Sequence, residues 1–324
     1  MTSKLFKIWI AHLFLAIAVL FPSFACAAED ITIGEGIAIS WVQFLVADEK
    51  KFWEAEGLNP KTIQFASGRL VLDAVAGGHV TVGTAAETPI VFAALNNVPV
   101  RIIGTMNHYE SFDLAAINDI KTIQDIKGHK IGYSQGTNSH YYLSKLLDKA
   151  GLKLSDITPI SLSPSDFVTT LVNGGIDAFI WSEPHLSQAL AQGPDKFHVI
   201  HTPGLYTTYS SIIALQSTID EKPELLAKAL KALIVSDQYT RKDPEEAALL
   251  SANRIKLDPQ IAKKVWPDLH LSIELDRAGL VQELETQAKW AIANNLVRPD
   301  AKLPDFNKVV VSQPLETART KLKE

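Results

Sequence analysis

From Ile31 onward, short apolar runs of β type alternate with stretches whose apolar residues recur at helical spacing, and few folds accommodate that alternation. Ile31-Thr32-Ile33 leads to a helix predicted over 40–56 and stopped by Gly57. A strand over 62–65 precedes a helix over 69–76, and strands at 80–82 and 100–104 flank a helix over 89–95. The pattern resumes at 114–117, 130–133, 159–160, 178–181 and 198–201, and from Glu221 the chain reads as mostly helical. Strands joined through helices pair in parallel and need both sheet faces covered, so the expected class is α/β with mostly parallel sheets.

Within that alternation one segment repeats. Ala74-Val75-Ala76-Gly77-Gly78-His79-Val80-Thr81-Val82-Gly83 resembles Thr170-Leu171-Val172-Asn173-Gly174-Gly175-Ile176-Asp177-Ala178-Phe179. Each reads as a helix end, Gly-Gly and a strand, and each reaches an acidic residue close to proline: Glu87 before Pro89, Glu183 before Pro184. A glycine cap before a buried strand is also ordinary grammar between helix and strand. If the two segments mark two lobes, the strand ends 84–87 and 181–183 face a shared crevice, where open α/β sheets bind ligands.

Residues 128–151 hold the most site-like stretch. Ile131 to Tyr133 reads as a strand, Ser134 to Gly136 as a glycine-containing loop, and a helix starts near Asn138 with Tyr142, Leu143, Leu146, Leu147 and Ala150 on one face. Such a junction leaves unpaired N–H groups at a partly positive helix end, where an anion can sit. The same stretch contains Gly132-Tyr133-Ser134-Gln135-Gly136, a match to the G-x-S-x-G elbow of serine hydrolases. An elbow starts its helix directly after the serine, whereas Thr137, Asn138 and Ser139 look like the cap. Asp177 with His185, His198, His201 or His270 would complete a triad in the right chain order.

The N-terminus reads as an export signal, residues 1–27. Lys4 and Lys7 precede an apolar run from Ile8 to Phe21 broken only by His12, and Ala25-Cys26-Ala27 is a small-residue cleavage site. Lipid modification at Cys26 is the less favoured alternative, because Ser23 and Phe24 do not suit that signal. Cys26 is the only cysteine, so a chain starting at Ala28 has no disulfide and no thiolate chemistry. Lys4 and Lys7 are the only charges removed, so of 31 basic and 36 acidic residues, 29 and 36 remain. That acidic balance argues against nucleic acid as a partner.

The ordered series FWEAEGLNP, GGHVTVGTAAETP, VPVRIIG, IKTIQDIKGHKIGYSQGTNSHYYL and NGGIDAFIWSEP resembles the substrate-binding proteins of ABC importers, in the taurine, alkanesulfonate, nitrate and thiamine-precursor group. The resemblance runs over about 31–230 and implies a two-lobed, hinged periplasmic-binding-protein (type II) fold with the ligand cleft at the hinge. Lobe one would comprise 28–118 and 212–324 and lobe two 119–211, with hinge crossings near 115–119 and 210–215. The resemblance further implies a monomer in the periplasm that captures a small anion and delivers it to a permease, without catalysis or cofactor. His198 and His201 point to opposite faces of a strand and the other histidines lack ligand spacing, so no metal is expected. Its ligand contacts carry over to Ser40, Trp41, Ser67, Gly68, Arg69, Ala85, Ala86 and Glu87. In the second lobe they carry over to Gln135, Gly136, Thr137, Asn138, Ser139, His140, Trp181 and Glu183, with Tyr206 or Tyr209 near the return crossing. Sulfonate-binding members show a Gly-Ser-x-x-His-like run where this chain has Gly136-Thr137-Asn138-Ser139-His140, which leaves sulfonate specificity open.

The residue chemistry keeps alternatives beside these roles. Arg69 suits an anion through its forked donors, or faces solvent at a helix start. Trp41 and Trp181 suit the walls of a pocket or the filling of a core. Glu87 and Glu183 would hold an aminopyrimidine or another cation-capable heterocycle, or cap the helices at Pro89 and Pro184. Relatives that synthesise a thiamine pyrimidine carry a cysteine-rich motif that this chain lacks.

Overall fold

The computed structural model describes residues 28–110 and 112–323; the expected leader, with Cys26 and its cleavage site, lies outside the described residues. Strands β1 (Glu29–Gly36), β2 (Leu58–Phe65), β3 (Val82–Ala86) and β4 (Val100–Tyr109) are joined through helices α1 (Val42–Glu49), α2 (Phe52–Ala55), α3 (Gly68–Ala76) and α4 (Glu87–Leu95). Strands β5 (Asp113–Ile117), β6 (Lys130–Tyr133), β7 (Thr158–Ser161), β8 (Ala178–Trp181) and β9 (Phe197–Ile200) follow, with α5 (Asn138–Ala150), α6 (Phe167–Val172) and α7 (His185–Gln192) between the last four. After β10 (Thr208–Leu215) come α8 (Gln216–Glu221), α9 (Pro223–Lys242), α10 (Pro244–Ile255), α11 (Pro259–Val265), α12 (Arg277–Ala293) and α13 (Gln313–Lys321). None of the described helices is long and apolar enough to cross a membrane.

The strands form two five-stranded sheets, in the orders β2-β1-β3-β10-β4 and β7-β6-β8-β5-β9. The two orders are the same pattern. Three strands run parallel, then one runs antiparallel to both its neighbours, and the last returns to the original direction. The reversed strands, β10 and β5, are those on which the chain enters a sheet from the other one. Each lobe is therefore a mostly parallel sheet with one strand turned around.

Strand pairing moves the crossings expected near 115–119 and 210–215. From Asp113, β5 pairs with β8 and β9 of the second sheet, and from Thr208, β10 pairs with β4 of the first. The passages therefore fall earlier, between Tyr109 and Asp113 and between Ile200 and Thr208. The cause is burial: Leu114, Ala115 and Ala116, like Ile212, Ile213 and Ala214, are fully buried, and their backbone groups need a paired strand on each side.

Each sheet is covered on both faces. One side of the first sheet packs Ile33, Phe44 and Trp53 against Leu226, Leu230 and Leu233 of α9, and the other packs Val71, Val75 and Ile90 against Leu280 and Leu284 of α12. Along β8, Ala178 and Ile180 face Tyr142 and Leu146, whereas Phe179 and Trp181 face Phe167 and Leu186, the alternation a strand imposes. The helix expected over 40–56 is divided. Residues Ile39–Trp41 form a 3-10 turn, α1 ends at Glu49, and Lys51 takes a left-handed φ of 58° before α2. That break turns Trp53 inward to pack edge-on against Phe44, with ring centroids 5.7 Å apart.

Candidate ligand-binding cleft

Three helix N-termini converge where the two sheets meet. β2 leads through Ser67 into α3, β3 through Ala86 into α4, and β6 through residues 134–137 into α5. Ser67 and Thr137 are the cap residues, accepting from Leu70 N–H at 3.4 Å and Ser139 N–H at 3.2 Å. Extended backbone at Ser67, Ala86 and Thr137 aims each first turn into the gap between the lobes. First-turn amides lack an intrahelical acceptor, so the gap collects partly positive donors from both sides.

That gap is a cleft of about 490 Å³, its mouth included. Of the residues expected to hold a ligand, it is lined by Ser40, Trp41, Ser67, Gly68, Arg69, Ala86, Thr137, Asn138 and Trp181. Ile37, Ala38, Pro89, Tyr109, Phe112, Ser182 and Thr208 also line it, and the sequence reading missed them. Tyr109 and Thr208 are register partners on β4 and β10. No local pattern marks them, and only the sheet order brings them to the cleft. Among the described residues that line the wall, Arg69 is the only one with a charged side chain, and its nearest carboxylate, Asp73 at 4.0 Å, lies outside the wall. Trp181 is 6% exposed, and its indole N–H is buried without a hydrogen-bond partner.

The other expected residues lie behind or beside the cleft. Ala85 is fully buried at the back of Gly68, where a Cβ would stand 3.1 Å from Ala85 Cα. Ser139 is buried and donates through Oγ to the Ile180 carbonyl at 2.9 Å, tying α5 to β8. Glu183 accepts from Ser187 N–H at 3.1 Å and from Ser187 Oγ at 2.6 Å. Tyr209 lies on β10 and is not part of the wall. Gln135, Gly136 and His140 line a second hollow on the far side of Arg69. There the Arg69 guanidinium donates to the Gln135 carbonyl, which joins the two lobes. His140 Nδ1 accepts from Gly136 N–H at 3.4 Å, and burial holds the imidazole neutral, with its pKa lowered to about 4.

Glu87 is fully buried in a polar network that crosses between the lobes. Tyr206 donates its phenol proton to Glu87 and accepts from the Asn138 amide at 2.6 Å and the Gln287 amide at 3.1 Å. Glu87 also accepts from Tyr209 N–H at 3.2 Å, and Asn138 Oδ1 accepts from Thr88 N–H at 3.3 Å. Burial raises the Glu87 carboxyl to about 7, against the lowering effect of these donors. Asn138 belongs to both the cleft wall and this network, so the cleft wall is tied to the buried carboxylate of the other lobe.

The hydrolase pattern does not assemble into a triad. Ser134 is buried at the end of β6, and its N–H donates to Ser139 Oγ at 3.3 Å. Asp177 instead pairs with His129 at 3.2 Å and accepts from Lys130 N–H, at the opposite end of the same strand. His201 pairs with Asp113 at 2.7 Å. Among the described residues no imidazole hydrogen-bonds Ser134.

The profile of the NMT1/THI5-like family matches residues 39–247. The chain is 29% identical over 198 residues to a protein assigned as an aliphatic sulfonates-binding protein of Escherichia coli (strain K12), a match covering 60% of this chain and 62% of that one. It thus spans less than two thirds of that relative. The fold is that of the periplasmic aliphatic sulphonate binding protein SsuA from Escherichia coli, with a TM-score of 0.73 at 24% identity over 88% of this chain and 92% of the other. It is also that of the alkanesulfonate-binding protein SsuA from Xanthomonas axonopodis pv. citri bound to MOPS, with a TM-score of 0.78 at 20% identity over 88% and 100%. The chain belongs to the NMT1/THI5-like family.

Proposed function

We propose that the protein is the extracytoplasmic solute-binding component of an ABC importer and that it captures a small organic anion in the cleft between its lobes. The observation that carries this reading is the cleft wall itself: three helix N-termini and Arg69 face it, and among the described residues no carboxylate does. Amide donors and a guanidinium select a tetrahedral or planar anionic head. Trp41, Phe112 and Trp181 offer apolar surface to the remainder of the solute. The sulfonate-binding relatives supply the candidate head group.

An aminopyrimidine held by Glu87 and Glu183 fits less well, because one carboxylate is spent on Tyr206 and the other on Ser187, both outside the wall. Capture follows from linkage. A solute that touches both lobes only when they are together shifts the equilibrium about the passages near Glu110 and Thr202 towards the closed form. The closed monomer then presents its cargo to a membrane permease, after export on the leader at 1–27.

A thermal-shift panel of sulfonates, nitrate, dicarboxylates and aminopyrimidines tests the class. A saturable rise in Tm with sulfonates, lost in Arg69→Ala, is the expected result. A rise with aminopyrimidines alone would overturn the anion assignment. Hydrolysis of an ester by the purified protein, abolished in Ser134→Ala, would overturn capture without catalysis.

A further inference from the structure

Arg69 and Pro89 line two hollows at once. On one side is the cleft just described; on the other is a space of about 850 Å³, its open mouth included, between α3 and α4 of the first lobe and the loop at Gln135 and Gly136 of the second. We propose that this space is a second chamber of the same ligand site, which takes the extended uncharged tail of an organic anion whose head rests in the cleft, with Arg69 as the movable partition. The inference rests on the anion reading above and deepens it by naming the shape of the solute.

The partition is lightly held. The Arg69 side chain is 46% exposed and its ion pair with Asp73 spans 4.0 Å, so water can replace most of what fixes it. Its one hydrogen bond across the gap goes to the neutral Gln135 carbonyl. Gly136 makes the resting position possible, because a Cβ there would stand 2.5 Å from Arg69 Nη1. When the guanidinium turns towards an anionic head, the wall between the hollows opens and the charge stays with the head.

The walls state what the chamber accepts. Leu72, Ala76, Phe92, Val98 and Leu296 supply apolar surface from the first lobe, interrupted by the polar side chains of Asp73 and Asn96. His140 is held uncharged by its surroundings, and Asp73 would repel a second anionic group. A chain without charge is the occupant that meets no repulsion, and each methylene that leaves water against the apolar side chains adds affinity.

The test is calorimetric titration of the whole protein with linear sulfonates from ethanesulfonate to decanesulfonate. The expected result is weak, nearly constant affinity for the shortest members. Beyond a threshold length, affinity then gains roughly fourfold per added methylene. Phe92→Ala, and Ala76→Phe to fill the space from the other wall, both lower decanesulfonate affinity at least tenfold and leave ethanesulfonate unchanged. Unliganded Tm checks that each variant is folded. Affinity flat with length, or variants that weaken short and long sulfonates equally, would overturn the chamber while leaving the anion reading intact. Absence of binding at every length would overturn both.

Discussion

The two Gly-Gly units occupy the same place in their sheets and put their carboxylates to different uses. α3, Gly77-Gly78 and β3 stand in the first sheet as α6, Gly174-Gly175 and β8 stand in the second, each strand third in the same order. Both strands are followed by an acidic residue at the start of a helical stretch. In the second lobe, Glu183 turns back on its own helix and satisfies the Ser187 amide and hydroxyl. In the first, Glu87 leaves its helix and meets Tyr206, which also holds Asn138 of the other lobe. The repeat thus sets the position of a carboxylate, and the partner brought by the return crossing decides whether it is a local cap or a link between lobes.

The largest consequence is in the response to pH. Glu87 is raised to about 7 in the folded chain, so between 4.5 and 7 the native state binds a proton the unfolded state has released. Its contribution is therefore complete at low pH and falls as pH rises, by on the order of 2–3 kcal/mol. His140 and His185 of the second lobe act in the opposite sense. Burial lowers both to about 4, so their contribution is complete above 6.5 and lost as pH falls towards 4. Tyr206, Tyr209, Asn138, Gln287 and Glu283 surround the Glu87 carboxyl and are unchanged in Glu87→Gln. Denaturant unfolding of that variant and of wild type from pH 4 to 8 should give a difference in stability that moves in Glu87→Gln's favour as pH rises. A constant difference would show that Glu87 titrates alike in the folded and unfolded chains, and the contrast between lobes would lose its electrostatic half.

Truncation should separate the two carboxylates next. Glu87→Ala strands Asn138 and Tyr206 around a buried gap and should cost about 2 kcal/mol or more at pH 7. Glu183→Ala removes one local cap and should cost about 1 kcal/mol. Urea midpoints at fixed m-value measure both. Equal losses would mean that the link between lobes is worth no more than a cap.

How much of this was legible in the sequence follows the reach of each interaction. β6 and β8 sit where the apolar runs put them, and α5 starts after Thr137 and stops at left-handed Gly151, because caps act within a few residues. Ser67 to Arg69 line the cleft where the family resemblance pointed, and Thr137-Asn138 line it where the loop before the helix pointed. The sheet membership of β5 and β10 was not legible, since it rests on partners such as Trp181 for Asp113, far along the chain. The same holds for Tyr109 and Thr208 in the cleft wall and for the burial of Glu87, whose phenol partner comes 119 residues later. Gly57 was rightly placed as a stop, but the left-handed turn at Lys51 carried no residue signal, because lysine is not a residue that favours it.

The smallest effect tests the backbone half of the comparison. Gly78 and Gly174 both sit at a φ of +73°, and a Cβ at either would meet nothing within 4 Å. Alanine at each position should therefore cost the left-handed conformation alone, about 1 kcal/mol, with no packing term to distinguish the lobes. Gly136 has the same φ, but there a Cβ also displaces the Arg69 guanidinium. Gly136→Ala should match the other two in urea unfolding within about 0.5 kcal/mol, because the displaced group is half exposed and flexible. It should differ from them in ligand titration, where the partition stands permanently displaced and the resting contact with Gln135 no longer competes with the sulfonate head. If Gly78→Ala and Gly174→Ala were unequal by more than that margin, the two Gly-Gly turns would be alike in sequence only, and the shared strand order would have arisen without a shared backbone.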